Sequence, residues 1–240
     1  MCPVIGIYGD GYLGNQIRNV LQESNIPFKQ LSREDSPGRE LQIIFDASFP
    51  RNYLDEDISE GYLDLLSSRL DVANALKIQY IYLGSFSSKG IPWSKYASVK
   101  KQAEESVKIK QGSVLRLGLV VDFTNPGGRF QELVSLARKR LFIFLPAKDW
   151  CPLWITRIED FRHQTQKLAT GKYFAGDSEI ICSGTYKSNL SRILVELSPN
   201  KKYVELNSFS MRIIFYVLKI ARVGILDNLR SILYLDKTLE

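Results

Sequence analysis

Pro3-Val4-Ile5-Gly6-Ile7-Tyr8-Gly9-Asp10-Gly11-Tyr12-Leu13-Gly14 is the stretch on which the fold turns. Its first half is a short apolar run and its second half is a G-x-G-x-x-G run. From 11 to 23 the apolar residues Leu13, Ile17, Val20 and Leu21 recur at helical spacing and form one face. A glycine run between a strand and a helix is the setting in which a dinucleotide pyrophosphate is held. Gly9 permits the tight turn, Gly11 lets the backbone approach the pyrophosphate, and Gly14 lets helix and strand pack closely. The first helical turn, at Tyr12 and Leu13, offers amides and positive potential to the phosphates.

The same alternation continues outward. Ile26-Pro27-Phe28-Lys29-Gln30-Leu31 and Leu41-Gln42-Ile43-Ile44-Phe45-Asp46 read as the second and third strands. A helix is predicted over 59–77, carried by Leu63, Leu66, Leu70, Val72, Ala73 and Leu76. Tyr80-Ile81-Tyr82-Leu83 reads as a fourth strand, 96–108 as a helix, and SVLRLGLVV at 113–121 as a fifth strand. Strands alternating with helices predict a parallel sheet with right-handed crossovers. Near-continuous apolar strands suit a sheet buried on both faces. The expected fold is α/β, a doubly wound parallel sheet. Beyond Asp122 the pattern loosens into a loop at 124–128, a helix over 130–140, an apolar strand or loop at 141–146, and short mixed pieces. The division expected is a nucleotide-binding domain over 1–165 and a small C-terminal substrate lobe over 166–240, packed on the first.

Composition narrows the chemistry. The chain has 240 residues, 45% hydrophobic and 24% charged, which describes a folded chain of one large domain or a domain with an annex. Lys and Arg number 32 against 26 Asp and Glu, a net +6. The basic clusters, Lys100-Lys101 and Arg138-Lys139-Arg140, are short and separated, so charge alone suits phosphorylated small molecules as well as polymers, and it is the motifs that turn the expectation to phosphorylated small molecules rather than nucleic acid. Three cysteines (Cys2, Cys151, Cys182) without a CxxC argue against disulfides and zinc, and the single His163 leaves no histidine cluster, so no metal site is expected. The chain opens on a strand rather than a signal sequence, and no apolar run approaches the roughly 18 residues of a membrane span. The cytoplasm is the default location. Over 211–225 an apolar face (Ile213, Ile214, Val217, Leu218) lies opposite Arg212, Lys219 and Arg222. That segment reads either as a lobe helix packed on the core or as a helix resting on an anionic membrane surface. Trp93, Trp150 and Trp154 are expected in packing or pocket walls.

The second strand ends Leu31-Ser32-Arg33, with Glu34 and Asp35 beyond it. An acidic residue about 20 positions past the glycines would pair with the ribose 2′-hydroxyl of NAD. Ser32 instead leaves room, and Arg33 meets a 2′-phosphate, so NADP(H) is preferred with NAD(H) as the alternative. In Tyr96-Ala97-Ser98-Val99-Lys100, tyrosine and lysine at i and i+4 share one face of a helix. An ammonium beside a phenol favours phenolate, and bringing a tyrosine from about 10 to near 7 takes roughly 4 kcal/mol. The motif follows a strand ending Gly84-Ser85-Phe86-Ser87-Ser88, and reactive groups of open α/β sheets gather at such strand ends.

With these pieces the chain resembles the short-chain dehydrogenase/reductase superfamily, most closely its extended and atypical branches of nucleotide-sugar epimerases and reductases. The resemblance spans roughly 3–122: the glycine run, Phe45-Asp46-Ala47-Ser48, the serines at 85–88, Tyr96 and Lys100, and Leu115-Arg116-Leu117-Gly118. It implies a Rossmann domain in which Tyr96 is the general acid/base. Ser85 would orient the substrate oxygen, and Lys100 would hold the nicotinamide ribose and tune Tyr96. It further implies that Ala47 and Ser48 line the cofactor, that Ser87, Asn125 and Phe130 touch substrate, and that a homodimer forms beside the Tyr96 helix. The chain departs from the pattern in three places: Tyr8 stands where many extended members carry a glycine, the interval from Ser85 to Tyr96 is only eleven residues, and Asp122 stands where a glycine often ends the fifth strand. Which of Ser85, Ser87 and Ser88 reaches the reacting group stays open. The activity implied is an NAD(P)-dependent reductase or epimerase of nucleotide-sugars; the alternative is a non-catalytic NADP(H)-binding sensor or assembly factor on the same fold.

Overall fold

A computed structural model of the chain describes residues 3–89, 94–139, 142–146, 152–171, 178–197, 200 and 202–206. Six parallel strands form the central sheet: β1 (Val4–Tyr8), β2 (Phe28–Leu31), β3 (Leu41–Asp46), β4 (Gln79–Ser85), β5 (Ser113–Leu117) and β9 (Glu179–Ile181). Their order is β2-β1-β3-β4-β5-β9. The helices α1 (Tyr12–Glu23) and α5 (Ile158–Ala169) cover one face, packing Ile17, Leu21, Phe161 and Leu168 on Ile7, Phe45 and Leu83. The opposite face is closed by α2 (Glu56–Ala75) and α3 (Lys95–Ile109), through Leu66, Leu70, Val99 and Ala103 against Ile44 and Tyr80. This is the doubly wound Rossmann arrangement, and the near-continuous apolar strands follow from burial on both sides. Local signals start the helices where they start: Asp55 caps α2 by accepting from the Ile58 amide at 3.3 Å, and Ser94 caps α3 by accepting from Ala97 at 3.0 Å.

The usual order of such sheets places a further strand outside the second one. Among the described residues that strand is absent. Residues 32–40 are too few for a crossover helix plus a strand, and they return directly from β2 to β3. Tyr8 ties this turn down, its hydroxyl donating to the Asp35 carbonyl at 2.6 Å. The residue that departs from the glycine pattern is thus the tether of the shortened edge.

The stretch 113–121, expected as one strand, is two. At Gly118 the chain leaves the main sheet, and β6 (Leu119–Val121) joins β8 (Pro152–Arg157) and β10 (Tyr186–Asn189) in a second sheet ordered β10-β8-β6. A Cβ at Gly118 would lie 2.4 Å from the Trp154 backbone, and the Gly118 amide donates to Thr156 Oγ1 at 2.9 Å. A glycine inside a strand pattern marks such close approach of a second backbone. Around this sheet pack α4 (Gly128–Lys139) and α6 (Leu190–Leu197), with a core of Phe130, Leu133, Ile155, Ile193 and Leu194. The strands β7 (Phe142–Pro146) and β11 (Lys202–Leu206) pair in parallel beside it. A boundary at 165 falls within α5, and β9, from beyond it, is the sixth strand of the main sheet. The second sheet conversely draws β6 and β8 from before that position.

No helix of the described residues is long and apolar enough to cross a membrane. The basic amphipathic stretch at 211–225, Trp93, Trp150, Cys2 and Cys151 lie outside the described residues. His163 is exposed on α5, and Cys182 is buried, which pushes its thiol up to about 12.

Candidate active site

The carboxyl ends of β3, β4 and β5 open into a cleft of about 630 Å³, walled on one side by the start of α1 and on the other by the lobe. Its α1 wall is Gly11, Tyr12 and Leu13. The three glycines of the fingerprint act for three different reasons. Gly9 sits at φ +95°, where a side chain would also strike the Ala47 carbonyl at 2.6 Å. A Cβ on Gly14 would lie 2.1 Å from the Gly9 carbonyl, so that glycine serves packing alone. At Gly11 an added Cβ meets nothing within 4 Å, and the space belongs to the cleft. No side chain caps α1. The geometry fits a phosphate seated on the first-turn amides, and a methyl at Gly11 would stand in its way. Gly11→Ala is therefore expected to leave the melting temperature unchanged and weaken NADPH binding by roughly tenfold, about 1.4 kcal/mol. Melts run with and without NADPH check this.

Tyr96 and Lys100 both line the cleft from α3, as does Ser85 from the end of β4. Ser85 caps the 3-10 turn Phe86–Ser88, and its Oγ lies 2.9 Å from Ser87 Oγ. Ser87 lines the cleft, whereas Ser88 is buried, donating to the Ser85 carbonyl and to Glu104. Burial pushes the Tyr96 phenol up, but the Arg129 guanidinium, the Lys100 ammonium and a hydrogen bond with Ser85 outweigh it. The group ends below its ordinary value of 10.0. The Lys100 ammonium donates to the Leu83 carbonyl at 2.7 Å and to Tyr82 Oη at 3.0 Å, and burial holds it below its ordinary value. The ring of Tyr96 meets Phe49 edge-on at 5.0 Å and Tyr53 at 5.6 Å. Buried ions anchor the serine turn from behind. Glu104 accepts from the Ser85 amide at 2.9 Å and pairs with Arg116 at 2.8 Å, and Arg116 donates to the Ser85 carbonyl at 2.8 Å.

The remaining expected residues divide. Ala47 lines the cleft; Ser48 is turned to Asp46, to whose Oδ1 its hydroxyl donates at 2.6 Å. Ser32 and Arg33 are exposed at the end of β2 and do not line the cleft. The Ser32 amide is taken by the Asp35 carboxylate at 2.6 Å, and the Arg33 carbonyl accepts from Arg69 at 2.5 Å. Asn125 is exposed, with its amide bonded to Asp122 at 2.8 Å. Phe130 is fully buried in the lobe core and turned away from the cleft, and its neighbour Arg129 lines the cleft instead. Helical spacing carries that signal, because Phe130, Leu133 and Val134 mark the buried face of α4. Arg129, Phe49 and Arg51 are cleft residues that the sequence reading did not single out. Trp154 forms a pocket wall, stacked on Phe86 at 4.5 Å. Asp122 also accepts from Tyr12 Oη, joining the lobe to the glycine loop.

No protein-family model matches the chain, and no curated protein matches it by sequence. Solved structures match its fold. It is similar to a dTDP-4-dehydrorhamnose reductase from Bacillus anthracis in complex with NADP, with 12% identity, a TM-score of 0.68 and coverage of 86% of each chain. An NAD-dependent NDP-hexosamine 5,6-dehydratase involved in tunicamycin biosynthesis superposes with 15% identity and a TM-score of 0.65, over 85% of this chain and 84% of that one. A UDP-N-acetylglucosamine 4-epimerase from Bacillus cereus does so with 12% identity and a TM-score of 0.65, over 85% of each. At such identities the likeness is one of fold.

Proposed function

We propose that the protein is an NAD(P)-dependent oxidoreductase or epimerase of the short-chain dehydrogenase/reductase type, acting on a sugar carried by a nucleoside diphosphate. One observation carries the reading: Ser85, Tyr96 and Lys100 converge with the open Gly11 turn in a single cleft at the strand ends. The neighbours of like fold are proteins of this kind, and the +6 net charge suits a cofactor and a substrate that are both anions.

The residues divide the work. The amides at the start of α1 hold the pyrophosphate, and Ala47 lines the cofactor channel. When bound, the nicotinamide supplies a hydride acceptor or donor. Ser85 steadies the substrate oxygen by hydrogen bonding, and Tyr96 takes or returns that oxygen's proton. Lys100, fixed by Leu83 and Tyr82, faces the ribose and adds positive potential beside the phenol. The apolar wall of Phe86, Leu153 and Trp154 excludes water from the sugar.

NADP(H) is the preferred cofactor in this reading. Asp35 already occupies the Ser32 amide, so a 2′-phosphate contact falls to the Arg33 side chain. Fluorescence titration with NADPH and NADH, followed by a screen of nucleotide-sugars for absorbance change, tests the whole. Arg33→Ala should weaken NADPH by about ten- to a hundredfold, the worth of one charge-assisted contact, and leave NADH unchanged. Failure to bind either cofactor would overturn the function, and a wild-type preference for NADH would move the ribose contact to Glu34.

A further inference from the structure

Among the described residues two cations stand beside Tyr96, Lys100 from its own helix and Arg129 from the lobe. The Arg129 guanidinium carbon lies 3.6 Å from the centroid of the Tyr96 ring. Lys100, on Tyr96's own helix, has its ammonium committed to the Leu83 carbonyl and Tyr82 Oη and lies over the Phe49 and Tyr82 rings at 4.6 and 4.4 Å. A dedicated turn delivers Arg129. Gly128, the first residue of α4, takes φ +56°, and a Cβ on Gly127 would lie 2.0 Å from the Tyr12 ring. Only two glycines allow α4 to start pressed against Tyr12, with its second residue over the phenol. Phe130, Leu133 and Val134 lock the far side of α4 in the lobe core.

We propose that Arg129 is a positioning residue that acts through Tyr96: its guanidinium, set over the phenol by the Gly127–Gly128 turn, is the charge that lets Tyr96 serve as a base. The functional meaning rests on the acid/base role proposed above; the contact does not. Among the described residues, the groups facing Tyr96 are Arg129 and the cleft residue Glu132 from α4, Lys100 and Glu104 from α3, Tyr62 from α2, Ser85 from the end of β4, and Phe49 and Tyr53 from the segment after β3. Glu104 opposes ionisation, but its carboxylate is paired with Arg116. Arg129 and Lys100 both favour the phenolate, and Arg129 is the one set over its ring. As a phenolate Tyr96 takes the proton of a bound hydroxyl and becomes the neutral phenol; the reverse step returns that proton.

The test reads the ionisation itself and needs no substrate. Phenolate absorbance is titrated in the wild type, Tyr96→Phe, Arg129→Gln and Arg129→Lys, with circular dichroism confirming the fold of each. The wild type should show one transition below 10, absent from Tyr96→Phe, and Arg129→Gln should raise it by about one to three pH units, the range for an opposite charge at this distance. Arg129→Lys should restore part of the shift. The proposal fails if Arg129→Gln leaves the transition in place, or if Tyr96→Phe removes no transition below 10. A protein that shows the shifts and turns over no nucleotide-sugar would sink the proposed activity alone.

Discussion

Tyr96→Phe is expected to lower turnover by about 10²–10⁴-fold, the usual worth of a positioned acid/base, while NADPH affinity stays at the wild-type level. The substitution removes one oxygen and little else. The ring contacts with Phe49 and Tyr53 and the face beneath Arg129 belong to the ring and persist in phenylalanine. The proposed pyrophosphate seat is on α1, at the other wall of the cleft. The loss should therefore fall on kcat with KM nearly unchanged, the pattern of an interaction made in the transition state. NADPH consumption or nucleotide-sugar interconversion measures turnover, and fluorescence titration measures cofactor binding. A Tyr96→Phe protein that keeps wild-type turnover would place the acid/base elsewhere. A wild type that binds cofactor but turns over no sugar, with a cellular role untouched by Tyr96→Phe, would favour the sensor reading.

The parts of the fold that were legible are those whose signal is local. The β1–α1 turn was read from a two-part pattern and its glycines. Tyr96 and Lys100 could be put together because one helix carries both at i and i+4. The break at Gly118 was half legible: a glycine inside SVLRLGLVV announces a close approach, but the partner, the Trp154 backbone, lies far along the chain. Arg129 was beyond reach because its contact with Tyr96 depends on how α4 leaves the Gly127–Gly128 turn. The resemblance points Phe130 at substrate, whereas the spacing of its own helix sends it to the core. Arg69 carried a weak signal, a charge between Leu66 and Leu70 on the apolar face of α2, and the structure resolves it as one half of a buried pair.

That pair yields the largest expected loss of stability. Asp46→Ala should destabilise the fold by about 3–5 kcal/mol, a large share of the roughly 5–15 kcal/mol available to a domain. Asp46 is fully buried at the end of β3 and accepts from the Ser48 amide at 2.8 Å, from Ser48 Oγ at 2.6 Å, from Tyr80 Oη, and from Arg69 at 3.4 Å. Arg69 in turn donates to Ser48 Oγ at 3.0 Å and to the Arg33 carbonyl, with its guanidinium 3.7 Å from the Tyr8 ring centroid. Removing the carboxylate strands that cation in a site only 3% exposed. The penalty arises from the charge left behind more than from the bond lost, so the double variant Asp46→Ala/Arg69→Met should recover part of the stability. Urea midpoints at constant m-value measure both. A double variant no more stable than Asp46→Ala would mean that the Ser48 and Tyr80 hydrogen bonds, rather than the stranded guanidinium, dominate. The proposed contact of Arg33 with the 2′-phosphate provides a second readout, since Arg69 holds the turn that carries Arg33. Asp46→Ala/Arg69→Met should therefore regain stability relative to Asp46→Ala and still bind NADPH less tightly than the wild type, whereas NADH, which lacks the 2′-phosphate, should be affected less.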